Sequence, residues 1–434
     1  MTFDEAVKYL LGLGHETLAI KLGLASVRRL LDALGRPEQS FPSVQIAGTN
    51  GKGSTAAMLD AICRAAKIET GLYTSPHLVS ITERIKIGGR EVGRDDFARL
   101  ASVVRDAALA LRDEAGALPS FFEQVTALAL CAFRDAPVEM AILETGLGGR
   151  LDATTAAHAS LVAVTPVALD HQEYLGETLA EIAAEKAAIM RAGADAVVSA
   201  AQPAAALAVI LARCREANVA PRFATEDIRV EGATGDGRLR AAFRTAEDVY
   251  DDVTLALRGR HQLANAATAI ALAETLRARG FGRITRASII EGLRTAEHPG
   301  RLELVNPPPP LLLDGAHNPA GARALKDFLD EFVAPPLTMI FGAMRDKDLT
   351  EIAAAVFPAA DRLILTSIDN PRAAAADALR AFVPASFDDA KISLARSSSD
   401  ALRLARELTP RGGTVCVTGS LYLVGEVKRL LAGE

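Results

Sequence analysis

The stretch Gly48-Thr-Asn-Gly-Lys-Gly-Ser-Thr55 stands between a short β-type run, Val44 to Ala47, and an apolar-periodic helix, Ala56 to Ala66. It reads as a variant phosphate loop. Glycines let backbone N–H groups approach phosphate oxygens, and the helix N-terminus adds positive potential. Lys52 supplies a mobile cation, and Ser54 or Thr55 can reach a magnesium ion. The strict pattern G-x-x-x-x-G-K-[ST] is not met: Gly53 follows Lys52, and Ile46 stands where the first glycine would be. A plain glycine-rich turn is the bland alternative, but strand before and helix after are the context the motif demands.

Outward from this loop the chain alternates strand and helix, the pattern of a doubly wound α/β domain. Residues 2 to 35 read as helices around the turn Leu11-Gly-Leu-Gly-His15. Val44 to Ala47, Val138 to Glu144 and Leu161 to Thr165 read as buried parallel strands, with chemistry expected at their C-terminal ends. From about Arg222 to Leu257 short alternating runs and the turn Gly235-Asp-Gly237 suggest a β-rich insert, followed by a helix from Gln262 to Ala278. The stretch from Ala296 through Pro307-Pro-Pro-Pro310 reads as a domain boundary, the proline run as a stiff connector. Beyond it come strands at Leu311 to Asp314, Leu337 to Phe341, Arg362 to Thr366 and Thr414 to Thr418, with a helix near Pro319 to Phe332. The expectation is a P-loop-type doubly wound N-terminal ATPase domain with a β-rich insert, residues 1–297, and a smaller Rossmann-like α/β domain, residues 298–434.

With 434 residues, 50% hydrophobic and 24% charged, the chain can bury more than one core. Its formal net charge of -6 gives no footprint for nucleic acid or an anionic membrane. Cys63, Cys131, Cys214 and Cys416 are isolated in sequence, so neither a zinc site nor a disulfide framework is indicated. The N-terminus lacks a signal-peptide pattern, and no apolar run is long enough to span a membrane. A cytoplasmic, monomeric protein acting on small molecules is expected.

Several residues carry chemistry. Glu144 ends a strand and leads into Thr145-Gly-Leu-Gly-Gly-Arg-Leu-Asp152, where a carboxylate can hold magnesium opposite a phosphate loop. His171 follows Asp170 at another strand exit, although imidazole is an unusual ligand for so hard a cation. The helix Thr178 to Met190 puts Lys186 in register with Leu179, Ile182, Ala183, Ile189 and Met190, on the apolar face. An amine there must be neutral, paired or chemically modified, unless its stem snorkels to the surface. Asp314-Gly-Ala-His-Asn-Pro319 ends a strand and opens a helix, which suits either ligand binding or simple capping. Arg301, at the boundary, can reach a phosphate or stay solvated.

Further stretches complete a pattern: Tyr73-Thr-Ser-Pro-His-Leu78, Glu83-Arg-Ile85, Phe121-Phe-Glu123, Leu175-Gly-Glu-Thr178, Ile182-Ala-Ala-Glu-Lys186, His261-Gln262, Asn265-Ala266, Pro299-Gly-Arg301, Asp346-Lys-Asp348 and Thr418-Gly-Ser420. Together with the phosphate loop they closely resemble folylpolyglutamate synthase and its bifunctional relative dihydrofolate synthase, of the Mur ligase superfamily, across nearly the whole chain. The resemblance implies an ATP-dependent ligase that phosphorylates a folate or dihydropteroate carboxylate and joins it to L-glutamate. It implies two magnesium ions, with Ser75, Glu144 and His171 at the metal and Lys186, carbamylated, as a ligand of the second. Lys52, Lys186 and His171 become the catalytic candidates. ATP is assigned Thr49, Asn50, Gly51, Lys52, Gly53 and Ser54 with Asn265, Arg301, Asp314 and His317, the last three closing over it from the boundary and second domain. Phe121, Phe122, Glu123, Leu151, Asp152 and Ala153 match stretches that face the pterin. Ala188 replaces the usual glycine after Glu-Lys-Ala, and Lys21 stands where dihydrofolate synthases often carry an aspartate. Rival readings are a UDP-muramyl-type amino-acid ligase and a nucleotide-binding regulatory protein without ligase activity. No Asn-Lys-x-Asp guanine motif is present to support a GTP switch.

Overall fold

The computed structural model describes residues 1–14, 23–115, 118–305 and 309–433. His15, Lys21 and the first half of the proline run lie outside them. The chain divides into two compact units: Met1–Ile228, Phe243–Asp251 and Ala264–Ala296 form the first, Arg229–Ala242, Asp252–Leu263 and Glu297–Glu434 the second. Two stretches that precede residue 297, and that the sequence reading assigns to the N-terminal domain, thus cluster with the second unit.

The first unit is built on strands β1 (Ser43–Ala47), β2 (Thr70–Tyr73), β3 (Ile85–Ile87), β4 (Arg90–Glu91), β5 (Met140–Glu144), β6 (Leu161–Val164), β7 (Asp195–Val198) and β8 (Pro221–Phe223). Their order in the sheet is β4-β3-β2-β5-β1-β6-β7-β8. Pairing is parallel from β2 to β8 and antiparallel only at the β2-β3-β4 edge. β1, β5 and β6 are buried at every position, as strands covered on both faces must be. From β1 the chain leaves toward β2, whereas from β6 it leaves toward β7, on the other side. The crevice at the carboxyl ends of β1 and β6 is therefore a topological switch point, where open α/β sheets bind ligands.

The helix after β1 runs Lys52–Ala65, four residues earlier than its apolar periodicity suggests. Gly51, at φ +84°, caps it from the left-handed region, so the helix begins inside the phosphate loop itself. It is clamped by the helix Arg286–Thr295, whose Gly292 lies against the backbone of Ile62 so closely that a Cβ would meet Ile62 Cγ1 at 2.6 Å. The helix carrying Lys186 runs Leu179–Ala187, capped by Thr178, and stops short of Met190. There the Glu185 carbonyl accepts the N–H of Arg150, at 2.9 Å, from the loop after β5.

Strands β9 (Ile228–Ala233), β10 (Leu239–Arg244) and β11 (Val249–Thr254) form the β-rich insert, a three-stranded sheet of order β11-β10-β9. Arg222, expected at its start, belongs instead to β8 on the edge of the large sheet.

The second unit carries β12 (Glu303–Val305), β13 (Leu311–Leu313), β14 (Leu337–Phe341), β15 (Arg362–Thr366), β16 (Ile392–Ala395) and β17 (Thr414–Thr418). Their order is β12-β13-β17-β14-β15-β16, parallel except for β12. Its core gathers Leu312, Met339, Phe341, Phe357, Leu363 and Cys416 from strands and helices alike. Among the described residues no helix is long and apolar enough to cross a membrane.

Candidate active site

In the first unit the loops after β1, β2, β5 and β6 bring the sequence candidates to one end of the sheet. The phosphate loop is pinned to the loop after β6: Thr49 and Asn50 N–H donate to Pro166 O at 3.0 and 3.2 Å. The Thr49 hydroxyl donates to Ala168 O and accepts from Ala168 N–H, both at 3.0 Å. These two N–H groups are thereby committed to holding the loop. The Thr55 N–H bonds Gly51 O at 2.9 Å, so Lys52, Gly53 and Ser54 make up the first turn of the helix, at the positive end of its dipole. Gly51 is required sterically as well: a Cβ there would collide with Asn265 Oδ1 and lie 3.0 Å from its Cγ.

Two amines converge on one carbonyl. Lys52 Nζ donates to Gly48 O and Thr49 O, each at 3.2 Å, and Lys186 Nζ donates to Gly48 O at 2.9 Å. Lys186 is buried, as its place on the apolar face predicts, and not snorkelled. Burial, reinforced by the charge of Lys52, pulls its ammonium down to about 7. At neutral pH a large share is therefore the free amine, the form that reacts with carbon dioxide to give a carbamate.

Glu144 is buried at the end of β5, and its Oε2 accepts the Ser75 N–H at 3.1 Å. Ser75 lies in a loop held by Glu83, whose carboxylate accepts the N–H groups of Leu78, Val79 and Ser80 at 2.7 to 2.8 Å. His171 caps a short helix from the left-handed region, at φ 51°, with Asp170 Oδ1 accepting its N–H at 2.9 Å. Asp170 also acts electrostatically on Lys186. Among the described residues no group of three or more His, Cys, Asp and Glu can hold a metal unaided. The donor chemistry nonetheless fits magnesium: Ser75 and Glu144 offer hard oxygen, and this ion takes one or two protein ligands plus substrate phosphates. Two hydroxyls nearby in sequence, Thr55 Oγ1 and Thr145 Oγ1, are buried without a hydrogen-bond partner among the described residues.

The pterin candidates behave differently from one another. Phe121 is buried under the Arg84 guanidinium, 5.3 Å from its ring centroid, and Arg84 Nε donates to His77 Nδ1 at 2.8 Å. Phe122 packs against Tyr73 and against Gly146, where a Cβ would lie 2.5 Å from its Cζ. Glu123 closes a capping box by accepting Ser120 N–H at 2.7 Å, while its Oε1 is buried without a partner among the described residues. Asp152 is occupied by its own loop: Oδ2 accepts Gly146 and Leu147 N–H at 2.8 and 3.0 Å, and Oδ1 accepts Thr154 N–H at 3.0 Å. Burial raises its carboxyl despite these donors. It shapes the loop that carries Leu151 and Ala153. Arg84 and His77 stand seven residues apart in motif stretches that by themselves give neither a role; only the fold shows that Arg84 bonds His77 while lying over Phe121.

In the second unit Arg301 and His317 converge on the Gly315 carbonyl, and Asp314 precedes it in the same loop. Arg301 Nη1 donates to it at 3.4 Å, and His317 Nδ1 lies 2.7 Å away. Asp314 is buried, which raises its carboxyl against the lowering charge of Arg301. Its oxygens accept the N–H groups of Leu302 and Ala316 at 2.9 and 3.0 Å. Asn318 caps the helix Pro319–Phe332 through Gly321 N–H, so capping and site roles divide between neighbours in one motif.

A phosphate loop at a switch point, a buried amine beside it and a Rossmann-like second unit define a Mur-type ligase. Residues 46–273 match the Mur ligase middle domain and residues 300–421 the Mur ligase glutamate ligase domain. The chain is 34% identical to the dihydrofolate synthase/folylpolyglutamate synthase of Mycobacterium tuberculosis, over 99% of this chain and 94% of that one. It is 38% identical to a probable bifunctional folylpolyglutamate synthase/dihydropteroate synthase of Halobacterium salinarum, over 99% of this chain but 51% of the relative. The chain thus spans about half the length of that relative. Among solved structures, Mycobacterium tuberculosis folylpolyglutamate synthase complexed with ADP superposes with TM-score 0.91 at 32% identity, covering 99% of this chain and 98% of that one. Escherichia coli FolC with DHPP and ADP gives 0.87 at 29%, covering 100% and 98%. A bifunctional folylpolyglutamate synthase/dihydrofolate synthase with Mn, AMPPNP and L-glutamate bound gives 0.84 at 28%, covering 100% and 98%. The chain belongs to the folylpolyglutamate synthase/dihydrofolate synthase family of Mur ligases.

Proposed function

We propose that this chain joins L-glutamate to a folate, and to dihydropteroate, at the expense of ATP. The observation that carries the reading is the pair of amines, Lys52 and Lys186, on the Gly48 carbonyl of the phosphate loop. A carboxylate oxygen is a poor leaving group, so the γ-phosphoryl passes first to the substrate carboxylate, which attacks phosphorus as ADP departs. The glutamate amine then attacks the acyl carbon, the carbon–oxygen bond to phosphate breaks, and the nitrogen releases a proton. Charge builds on the transferring oxygens, and Lys52 swings from the loop carbonyls to meet it. Thr49, Asn50, Gly51, Gly53 and Ser54 shape the phosphate cradle, and Asn265 lies against it.

Ser75, Glu144 and His171 would hold one magnesium ion and carbamylated Lys186 a second, supplying positive charge to the phosphoryl oxygens. Carbamylation turns a cation that would repel metal into an anion that binds it. Phe121, Phe122 and Glu123 with Leu151 to Ala153 would face the pterin, while Arg301, Asp314 and His317 serve the nucleotide. Supporting the substrates are relatives that carry ADP, DHPP or L-glutamate, and one that carries manganese. We place the reaction in the cytoplasm, in keeping with four buried free thiols.

The test is phosphate release with ATP, magnesium and L-glutamate, comparing dihydropteroate, tetrahydrofolate and no pterin, with products identified by mass. One glutamate added to dihydropteroate establishes the synthase role, and extension of tetrahydrofolate the polyglutamate role. ATP binding with no amide product from either pterin overturns the reading.

A further inference from the structure

Arg301 sits on a turn whose shape is imposed by other side chains of the second unit. Both its neighbours take left-handed backbone conformations, Gly300 at φ 72° and Leu302 at φ 47°. Glycine does so freely, but a buried leucine holds such a conformation only when its surroundings over-determine it. They do. Glu303 Oε2 accepts the Gly300 N–H at 2.7 Å, and Gly315 N–H donates to Gly300 O at 2.9 Å. Asp314 accepts the Leu302 N–H, and Arg258 Nη1 donates to Leu302 O at 3.4 Å.

Glu303 is itself gripped. Lys428, on the helix Leu421–Ala432, donates from Nζ to Oε1 at 2.6 Å and to Oε2 at 2.8 Å. Both side chains are about a quarter exposed, at 27% and 23%, so the pair is shielded beyond an ordinary surface contact. The guanidinium of Arg301, by contrast, makes one long hydrogen bond and no ion pair among the described residues. The turn's backbone is locked while its charged tip remains available to a ligand. A bare carboxylate at Glu303 would brace the turn but set negative charge beside a phosphate site. Lys428 cancels that charge without removing the brace.

We propose that Glu303 and Lys428 are positioning residues that fix Arg301 for the nucleotide, an inference that rests on the reading of Arg301 as a nucleotide contact. Neither touches the phosphates; both act through the turn. The experiment is calorimetric titration of the full chain with magnesium and ADP, with melting temperature measured alongside. Glu303→Gln and Lys428→Met should each weaken ADP about five- to tenfold, the scale of one misaligned charge-assisted hydrogen bond. Lys428→Arg should restore binding to within about twofold. In an Arg301→Ala background the same two substitutions should change affinity by less than about twofold, because the group they position is gone.

Equal losses in both backgrounds would mean a merely structural effect and overturn the brace. If Arg301→Ala weakens ADP but neither Glu303→Gln nor Lys428→Met does, the brace alone fails. If Arg301→Ala leaves ADP affinity unchanged, the nucleotide role of Arg301 falls, and the brace with it. Should Glu303→Gln prevent folding, Lys428→Met, which leaves the carboxylate and its bond to Gly300 in place, carries the same test.

Discussion

Replacing Lys186 with methionine should change how the stability of the first unit depends on pH. The amine sits at about 7 in the folded protein, against about 10.4 for an unperturbed lysine. Below pH 7 folded and unfolded chains both hold the proton, and the cost of burying an ammonium ion is fully present. Between about pH 7 and 10.4 only the unfolded chain holds it, so stability rises with pH by about 1.4 kcal/mol per unit. The whole shift corresponds to about 5 kcal/mol. Methionine has a similar stem and no proton to lose. Its loss of the bond to Gly48 O is the same at every pH, so the slope isolates the titration. The assay is urea unfolding of wild type and Lys186→Met from pH 6 to 9, without bicarbonate, metal or nucleotide. Peptide-level hydrogen exchange separates the first unit from the second. From pH 7 to 9 the wild type should gain about 2 kcal/mol on the variant, since the amine is half titrated at the start of that window. Parallel curves would show that the amine keeps its proton, and the basis for carbamylation would be lost. Adding bicarbonate should shift only the wild type.

Three further outcomes follow from particular contacts. Gly51→Ala forces φ 84° on a residue with a Cβ and drives that carbon into Asn265 Oδ1; magnesium–ADP affinity should fall by at least about tenfold, and titration calorimetry showing less than a twofold change would refute the close approach. Gly292→Ala pushes the helix Arg286–Thr295 off the backbone of Ile62 and should cost about 3 kcal/mol in urea unfolding, near the upper end for overpacking; a loss under about 0.5 kcal/mol would mean the helices part easily. Asp152→Asn turns an amide donor toward the N–H groups of Gly146, Leu147 or Thr154, so steady-state kinetics should show a raised KM for the pterin with the KM for ATP little changed; equal changes in both would place the loop elsewhere.

The sequence alone determined the local parts. Buried apolar runs gave β1, β5, β6, β14, β15 and β17, because a strand covered on both faces is mostly apolar on both. The position of Lys186 on an apolar helix face dictated its burial, since helical period fixes which side chains share a face. Short or mixed strands such as Thr70–Tyr73, Asp195–Val198 and Ile392–Ala395 carried too little pattern to be read, and they exist because neighbouring strands satisfy their backbone. Tertiary structure alone decided what each polar group is spent on. Asp152 and Asp314, read as ligand contacts, have oxygens bonded to backbone N–H groups of their own or neighbouring loops. Lys52 and Lys186 lie more than a hundred residues apart and meet on one carbonyl, a distance that no local pattern encodes. Glu303 and Lys428 belong to no motif. Their bearing on Arg301 exists only because an edge strand and the last helix bring them together, where a hydrogen bond's reach of about 3 Å replaces proximity along the chain.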